Sequence, residues 1–260
     1  MKSLLIVGTG RLATALLHRL AGLEDWKVSL LGRNREKALS LGLEFKVPVY
    51  ALEDPFLPFA DGLLLAVKDD AVEDLAARFA DRARVLIHLS GGLPLSSVGH
   101  HCAHAAVVYP LQTFARPREV SWQEIPLFLQ ATSEEALTFA GEVARALGGP
   151  LYESSDLERQ RLHLCAVWAS NFSRLMLAEA WRLCQQWNLS FAHLLPLIQE
   201  TFRGALTGDS LTDLITGPAA RGDEATMQTH RQLLNSLPEQ AELYSLLSKR
   251  IQALLHRAED

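Results

Sequence analysis

The chain has no excess of basic residues, no long apolar run and few cysteines. Its 260 residues include 25 Lys and Arg against 30 Asp and Glu, which gives a formal net charge of −5. Nucleic-acid-binding domains normally present a basic surface, so this balance argues against a nucleic-acid partner. No apolar run approaches the ~20 residues that a membrane-spanning helix needs, so we expect no membrane partner either.

The three cysteines, Cys102, Cys165 and Cys184, have no spacing typical of a metal site. Cys165 and Cys184 lie in apolar helical stretches, where a cysteine packs as a small hydrophobic residue in a reducing compartment. The apolar stretch at residues 4–7 is too short to be the core of a signal peptide. The sequence therefore predicts a cytoplasmic protein without a metal site.

What the sequence does contain is a glycine fingerprint near its beginning. A short apolar run ends in Gly-x-Gly-x-x-Ala, and helical spacing follows over residues 14–20. In this pattern Gly8 permits a tight turn, Gly10 lets the backbone approach a pyrophosphate, and Ala13 allows close packing of helix on strand. The N–H groups at the start of the helix attract the anion. We predict a dinucleotide site formed by Gly8, Thr9, Gly10, Arg11, Leu12 and Ala13; the alternative is a structural turn without a ligand.

The end of the second predicted strand indicates which dinucleotide binds. An NAD-binding domain usually has an acidic residue there, about 20 residues after the glycines. Here the strand ends Leu30-Leu-Gly-Arg33-Asn34-Arg35, and no carboxylate occurs before Glu36. A guanidinium at Arg33 can pair with a 2′-phosphate, and Arg35 adds positive charge beside it. With Asn34, these residues favour NADP(H) over NAD(H). The alternatives are a solvated helix start and a deazaflavin cofactor.

The chain changes character near residue 155. Before it, apolar strands alternate with helices of roughly ten to fifteen residues, which predicts a doubly wound parallel sheet. After it, helical patterns without a convincing strand cover residues 157–187, 191–205, 223–237 and 238–258. We predict an α/β protein with a Rossmann-like dinucleotide-binding domain at residues 1–155 and an all-α substrate and dimerisation domain at residues 156–260. The long helix is apolar on several faces, which favours a homodimer formed through this domain.

Several motifs, in order along nearly the whole chain, carry a family resemblance. They are Gly8-Thr-Gly-Arg-Leu-Ala13, Ala66-Val-Lys-Asp-Asp-Ala71, His88-Leu-Ser-Gly-Gly92, Tyr109-Pro-Leu-Gln-Thr-Phe114, Arg161-Leu-His-Leu-Cys-Ala-Val-Trp-Ala-Ser-Asn-Phe172 and Thr216-Gly-Pro-Ala-Ala-Arg-Gly-Asp223. On these motifs the chain resembles a family of Rossmann-like oxidoreductases of unassigned substrate whose second half is a helical domain of unknown function. It is more distantly similar to pyrroline-5-carboxylate reductase and to the 6-phosphogluconate-dehydrogenase-like group. The resemblance implies the fold and the type of cofactor.

The ends of the central strands supply further candidate site residues. Val67 and Lys68 lie where open α/β sheets bind ligands, and they look like the Val-Lys-Pro turn that lies along the cofactor in pyrroline-5-carboxylate reductase. Ser90, followed by two glycines, could approach the nicotinamide. Gln112 and Thr113 could orient a substrate through an amide and a hydroxyl group. The alternatives are a surface lysine at position 68 and loop hydrogen bonds to the backbone at 112 and 113.

Three residues near these strand ends, Asp69, Asp70 and His88, are interpreted as structural. Asp69 and Asp70 replace the proline of that turn, and we expect them to cap the following helix. His88 shares one side of its strand with Ser90. A lone histidine on a strand is usually a packing residue, and a catalytic role is the alternative.

On the long helix, polar residues recur every three or four positions and form one stripe: His163, Val167, Ser170, Asn171 and Arg174. Polar groups on an apolar helix need partners or water, which a substrate cleft supplies. In the related dehydrogenases the equivalent helix carries a catalytic Lys or His and an amide. The resemblance therefore implies His163 as the proton donor and Asn171 as the residue that holds the substrate heteroatom. The helix departs from the lysine-bearing relatives in having no lysine, and a buried structural histidine is the alternative.

Residues 216–223 join two helices of the second predicted domain. In the similar reductase, a loop in this place presents N–H groups to the substrate carboxylate, and here Arg221 could bind an acidic substrate through two hydrogen bonds. Asp223 is expected to be the N-cap of the next helix.

Taken together, these residues predict an NADP(H)-dependent oxidoreductase. It would transfer a hydride to or from a small carbonyl, imine or hydroxy-acid substrate bound between the two domains. The alternative is a non-catalytic NADP(H)-binding sensor or a protein that binds a partner, because a fold does not establish catalysis.

Overall fold

The computed structural model describes residues 1–54, 56–115, 120–207 and 210–256. The chain divides into two compact units, residues 1–171 and residues 172–260. Within the described ranges, no helix is long and apolar enough to cross a membrane.

The described residues of the first unit form an eight-stranded sheet. Its strands are β1 (Lys2–Val7), β2 (Trp26–Gly32), β3 (Val49–Ala51), β4 (Ala60–Leu65), β5 (Ala83–His88), β6 (Ala105–Pro110), β7 (Leu127–Ala131) and β8 (Leu151–Glu153). They lie in the order β3-β2-β1-β4-β5-β6-β7-β8. The predicted α/β class with a Rossmann-like sheet is confirmed.

The last two strands depart from the parallel arrangement that the sequence predicted. Strand β7 pairs antiparallel with β6, with Pro110 opposite Leu127, whereas β8 is parallel to β7. A parallel connection needs a crossover, usually a helix. Between β6 and β7 the described residues hold only the 3₁₀ turn Trp122–Glu124. The antiparallel pairing of β6 with β7 thus goes with a connection that has no crossover helix among its described residues.

Helices cover both faces of the sheet because its central strands contain uninterrupted buried apolar runs, at residues 4–7 of β1, 63–65 of β4 and 85–87 of β5. The helices of the first unit are α1 (Arg11–Leu20), α2 (Arg35–Phe45), α3 (Val72–Phe79), α4 (Ser96–Gly99), α5 (Glu134–Leu147) and α6 (Asp156–Ala166). On β1, Leu4 and Ile6 belong to one buried cluster together with residues of α1 and α5. Leu5 and Val7, on the opposite face, belong to a second cluster with residues of α3 and α4. The period of two along a strand therefore divides the core into two layers.

The long helix predicted from the sequence is continuous but changes its winding. It begins with a capping box, in which the Ser155 N–H donates to the Glu158 carboxylate at 2.8 Å and the Glu158 N–H donates to Ser155 Oγ at 3.3 Å. After α6 the segment Val167–Phe172 is π-helical, and α7 (Ser173–Gln186) continues from it. The two compact units divide within the π-helical segment. The boundary predicted at residue 155 falls at the start of α6, whereas the compact units divide after Asn171.

The second unit contains, in its described residues, α7, α8 (Leu195–Ala205), α9 (Pro218–Arg221), α10 (Glu224–Leu233) and α11 (Pro238–His256), and no strand. Helix α9 contacts both α10 and α11. The predicted cap of α10 is confirmed: the Asp223 carboxylate accepts hydrogen bonds from the Thr226 hydroxyl at 2.7 Å and the Thr226 N–H at 3.1 Å. These hydrogen bonds lower the pKa of Asp223 below its usual range.

Candidate functional site

The turn between β1 and α1 requires its first glycine. Gly8 has a φ of +124°, and a Cβ built on it would overlap the carbonyl oxygen of Ala66 at the end of the neighbouring strand β4. Its N–H donates to the Leu31 carbonyl at 2.8 Å. A side chain at position 8 is therefore excluded by the backbone itself, before any ligand is considered.

The second glycine is different, because nothing in the protein requires it. Gly10 has an ordinary φ of −79°, and a Cβ built on it would meet no atom within 4 Å. Helix α1 starts at the next residue with no side-chain cap and no acidic residue in its first turn. Within the described chain, the N–H groups of Arg11, Leu12 and Ala13 have no acceptor. An open space in front of an uncapped helix start is the arrangement that fits a pyrophosphate.

The ends of β2 and β4 lie beside this turn. A Cβ on Gly32 would come within 2.7 Å of Thr9 Cγ2, so the last residue of β2 packs directly on the turn. Val67 lies on its other side, with Cγ1 3.3 Å from the position of a Cβ on Gly8. Lys68 follows and is exposed. The turn residues and Val67 are thus together, as the sequence predicted.

The residues after β2 are arranged as a helix start. Asn34 Oδ1 accepts a hydrogen bond from the Lys37 N–H at 2.9 Å and caps α2, which leaves its amide nitrogen free to donate to a ligand. Arg33 and Arg35 are exposed. From Leu30 to Arg35 the chain has no carboxylate that could compete for the Arg33 guanidinium; the next one is Glu36, in the first turn of α2.

The expectation that Asp69 and Asp70 cap the next helix is wrong. No side chain caps either the 3₁₀ turn Asp69–Ala71 or α3. The Asp69 carboxylate instead accepts a hydrogen bond from the Ser90 hydroxyl at 2.9 Å. Ser90 Oγ in turn accepts from the N–H groups of Gly92 and Leu93, at 3.1 and 3.2 Å. These bonds tie the loop after β5 to the loop after β4 and hold the predicted cofactor contact Ser90 in place.

A tyrosine and a histidine meet at the end of β6. The Tyr109 hydroxyl lies 3.1 Å from His163 Nδ1, and the two rings pack edge to face with centroids 5.8 Å apart. A Cβ on Gly91 would come within 2.6 Å of Tyr109 Cζ and 2.9 Å of His163 Nδ1. The glycine after Ser90 is therefore needed for close approach to this pair. Burial raises the pKa of Tyr109, although the positive charge of Arg159 opposes the shift.

A second contact joins the same helix to the next loop. Thr113 Oγ1 and Ser170 Oγ lie 3.0 Å apart, and the Thr113 N–H donates to Gln112 Oε1 at 2.7 Å. Ser170 and Asn171 both belong to the π-helical segment, and Asn171 is exposed. Of the predicted polar stripe, the structure brings His163 and Ser170 to the strand ends. Such π-helical insertions occur frequently at functional sites.

Arg221 belongs to the second unit, where it is the exposed last residue of α9. Its role in substrate binding stays a prediction.

A buried arginine anchors α6 to the loop after β5. The Arg159 guanidinium is fully buried and donates to Gln130 Oε1 at 2.6 Å and to the Leu93 carbonyl and Asp156 Oδ1 at 2.7 Å each. Asp156 Oδ1 also accepts from the Leu95 N–H at 2.9 Å. The sequence offered little to suggest this role for an arginine, since it depends on two partners 29 and 66 residues away.

His88 is a packing residue, in agreement with the first of its two interpretations. Its side chain is fully buried, and its Nδ1 accepts from the Ser90 N–H at 3.2 Å. Burial, together with the positive charge of Arg159, lowers the pKa of His88 to about 4. The ring is therefore neutral near pH 7.

Sequence reasoning missed Tyr109 as a partner of His163 and misassigned Asp69. Tyr109 lies near the end of β6 and Asp69 follows β4, and the same signal that selected Val67 and Ser90 could have selected them. Among the described residues, no three His, Cys, Asp or Glu side chains form a group that could hold a metal ion.

A family model described as a domain of unknown function, DUF2520, matches residues 125–251. Among solved structures, BF3122 from Bacteroides fragilis, provisionally assigned as an NADP oxidoreductase, is 32% identical with a TM-score of 0.88. The match covers 97% of this chain and 98% of that one. Among curated proteins, none matches in sequence.

Two reductases share the fold at much lower identity. The 1-pyrroline-5-carboxylate reductase of Streptococcus pyogenes is 13% identical with a TM-score of 0.64, over 97% of this chain and 98% of that one. A pyrroline carboxylate reductase of Plasmodium falciparum, solved with NADP bound, is 14% identical with a TM-score of 0.60, over 98% of each chain. These two similarities show the fold alone.

Proposed function

The chain belongs to the family of Rossmann-like oxidoreductases that carry the helical domain of unknown function, and from this we propose that it is an NADP(H)-dependent oxidoreductase. Its substrate would be a small carbonyl, imine or hydroxy acid. The observation that carries the proposal is the pair of glycines in the first turn. The fold itself leaves no room for a side chain at Gly8. At Gly10 the protein leaves room for one, so only a bound ligand would require glycine there.

The cofactor-binding residues follow from the geometry of that turn. The pyrophosphate would accept hydrogen bonds from the free N–H groups of Arg11, Leu12 and Ala13. Exposed Arg33 would pair with the 2′-phosphate. Thr9 and Val67 pack on the turn. Lys68 and Ser90 follow β4 and β5 and would contact the reactive end of the cofactor.

When bound, the reduced nicotinamide supplies a hydride to the substrate carbon. The π electrons of the C=O or C=N bond then move to the heteroatom, which needs a proton. His163 is the donor we propose, because its Nδ1 is held by Tyr109 and its Nε2 makes no hydrogen bond within the described residues. Asn171 would hold the same heteroatom, and Gln112 and Thr113 would orient the rest of the substrate.

The test of this function combines binding with turnover. Calorimetry should detect NADPH binding, with weaker binding of NADH. Screening small keto acids, aldehydes and cyclic imines should find a substrate that oxidises NADPH. With that substrate, His163→Gln should lower kcat by roughly 10²–10⁴-fold, the usual contribution of a general acid, and should leave NADPH affinity unchanged.

The outcomes separate the enzyme from the sensor. NADPH binding without turnover on any substrate would favour a non-catalytic NADP(H)-binding protein. No binding of either nicotinamide cofactor would refute the proposal altogether.

We also propose that two chains associate through their helical units. Within the described part of the second unit, the buried apolar side chains are Cys184, Ala219, Met227 and Leu234, which is a small core for its length. Large apolar side chains on α7 and α8 remain exposed, including Trp181 at 50% and Leu197 at 65%. Exposed apolar surface of this kind marks an interaction site, and a second copy related by twofold symmetry is its commonest occupant.

Sedimentation equilibrium tests the association. The chain should sediment at twice its mass of 28.7 kDa, and Trp181→Glu should shift it toward the monomer. A wild-type chain that stays monomeric at micromolar concentration would show that this surface serves another purpose.

A further inference from the structure

Tyr109 contacts the proposed proton donor but has no role in the function described so far. It is the fifth residue of β6, its side chain is 7% exposed, and its hydroxyl faces His163 Nδ1 at 3.1 Å. A buried hydroxyl normally has a hydrogen-bond partner, so the contact by itself requires no functional explanation. A functional explanation is needed because the partner is His163, a ring that can carry a proton. Its other nitrogen, Nε2, has no hydrogen-bond partner among the described residues.

We propose that Tyr109 is a positioning residue for proton transfer: its hydroxyl fixes the orientation of the His163 ring, so that Nε2 is presented to the substrate. This inference rests on the proposed function, in which His163 supplies the proton. The Tyr109–His163 pair is therefore the unit that delivers the proton, and His163 alone is not sufficient.

A tyrosine hydroxyl suits this task because it both donates and accepts. When His163 is neutral with its proton on Nε2, the Tyr109 O–H donates to Nδ1. When His163 is a cation, its Nδ1–H donates to the Tyr109 oxygen. The ring thus keeps its orientation in both protonation states. During reduction the cation gives its Nε2 proton to the substrate heteroatom, the N–H bonding electrons stay on Nε2, and the proton on Nδ1 remains bonded to Tyr109.

The surrounding residues hold the pair rigidly. Asp156, Arg159, Gln160 and His163 recur every three or four residues and occupy one face of α6. The first three bind the loop after β5: Asp156 accepts from the Leu95 N–H, Arg159 donates to the Leu93 carbonyl, and Gln160 donates to the Gly92 carbonyl at 3.1 Å.

The loop that these bonds anchor brings Gly91 against both rings. A Cβ at that position would come within 3 Å of Tyr109 Cζ and of His163 Nδ1. The ring of His163 is therefore confined between the loop and Tyr109, with Nδ1 on the confined side. Such support of a catalytic group by locked neighbours is what precise proton transfer requires.

The first variant to test is Tyr109→Phe, which keeps the ring and its packing and removes only the hydroxyl. With a substrate that oxidises NADPH, we expect kcat to fall at least tenfold, while the affinity for NADPH changes less than twofold.

A direct measurement needs no substrate. Nitrogen-15 NMR of the histidine rings reports which nitrogen carries the proton, and the His163 signals can be assigned by their loss in His163→Gln. The nitrogen-15 shift of a ring nitrogen also reports its hydrogen bonding, so His163 Nδ1 should show the shift of a hydrogen-bonded nitrogen in the wild type. In Tyr109→Phe we expect that shift to be lost.

The chain offers a matched control. In the second unit, Tyr244 Oη lies 2.9 Å from His230 Nδ1, and the rings pack edge to face with centroids 5.6 Å apart, much like the first pair. Tyr244→Phe removes the same kind of hydrogen bond and should leave kcat within twofold of the wild type. A second variant, Gly91→Ala, should separate Tyr109 from His163 with both side chains intact and should reproduce the loss of kcat.

Two results would overturn the inference. One is a Tyr109→Phe enzyme with wild-type kcat; the other is a His163 Nδ1 signal unaffected by the substitution. Failure of the proposed function is recognised separately, because it shows as absent NADPH binding in the wild type. In that case the NMR comparison of wild type and Tyr109→Phe still decides whether Tyr109 sets the state of His163.

Discussion

Substituting Gly10 by aspartate should separate cofactor binding from folding. Position 10 has a φ that any residue adopts and open space where a side chain would begin. Aspartate is also a favourable N-cap, better than glycine by a few tenths of a kcal/mol. We therefore expect Gly10→Asp to unfold at the wild-type temperature or slightly above it.

The effect on binding should be large, because the new carboxylate would lie where the pyrophosphate is bound. Two unit charges about 4 Å apart repel each other by about 4 kcal/mol at the effective dielectric of a protein surface. Each 1.4 kcal/mol is tenfold in affinity, so NADPH binding should weaken by about three orders of magnitude. Gly10→Asn has the same size without the charge, and its loss of affinity should be smaller.

Gly8→Ala is the opposite case. Its φ of +124° and the overlap of the new Cβ with the Ala66 carbonyl should destabilise the first unit by roughly 3 kcal/mol or more. Thermal unfolding and calorimetric titration of NADPH, performed on all three variants, measure both effects. NADPH affinity unchanged in Gly10→Asp would refute the placement of the pyrophosphate. Equal destabilisation by Gly8→Ala and Gly10→Asp would refute the distinction between the two glycines.

Two further predictions concern charge. Arg33→Ala should weaken NADPH binding by about 2 kcal/mol, or roughly thirtyfold, because a charged hydrogen bond to the 2′-phosphate is lost, and should weaken NADH binding much less. Arg35→Ala is the matched control. Equal losses of affinity for NADPH and NADH in Arg33→Ala would exclude Arg33 from this role. For His88, the folded-state pKa of about 4 lies below the ordinary 6.5, so the unfolded chain binds a proton first as the pH falls. The stability from the buried neutral ring, about 3 kcal/mol in full, is present above pH 6.5 and is lost between pH 6.5 and 4. The free energy of unfolding of His88→Asn, measured in urea, should not show this loss. If it fell with pH as steeply as that of the wild type, the loss could not be assigned to His88.

The parts of the protein that could be predicted from the sequence are those set by neighbours along the chain. The glycine turn is one of them, because strand, turn and helix follow one another within residues 2–20. The Asp223 cap is another, since its acceptor and donor are three residues apart. The alternation of apolar strands and helices similarly implied a sheet covered on both faces.

The errors occurred where partners are distant along the chain. The role of Asp69 depends on Ser90, 21 residues later, so helix capping was the nearest explanation available from local sequence. The reversed direction of β7 depends on a connection without a crossover helix, which no strand pattern reveals. Hydrophobic periodicity gives the face of a strand and says nothing of its direction.

The sequence by itself determined the fold class, the glycine turn and the Asp223 cap, since each depends on backbone conformations and hydrogen bonds among near neighbours. Only the tertiary structure decided which side chains meet at the strand ends. Tyr109 and His163 are 54 residues apart and touch because Arg159 and its partners draw α6 onto the loop after β5. Contacts of this kind depend on how helices pack on the sheet, and that packing is a property of the whole folded unit.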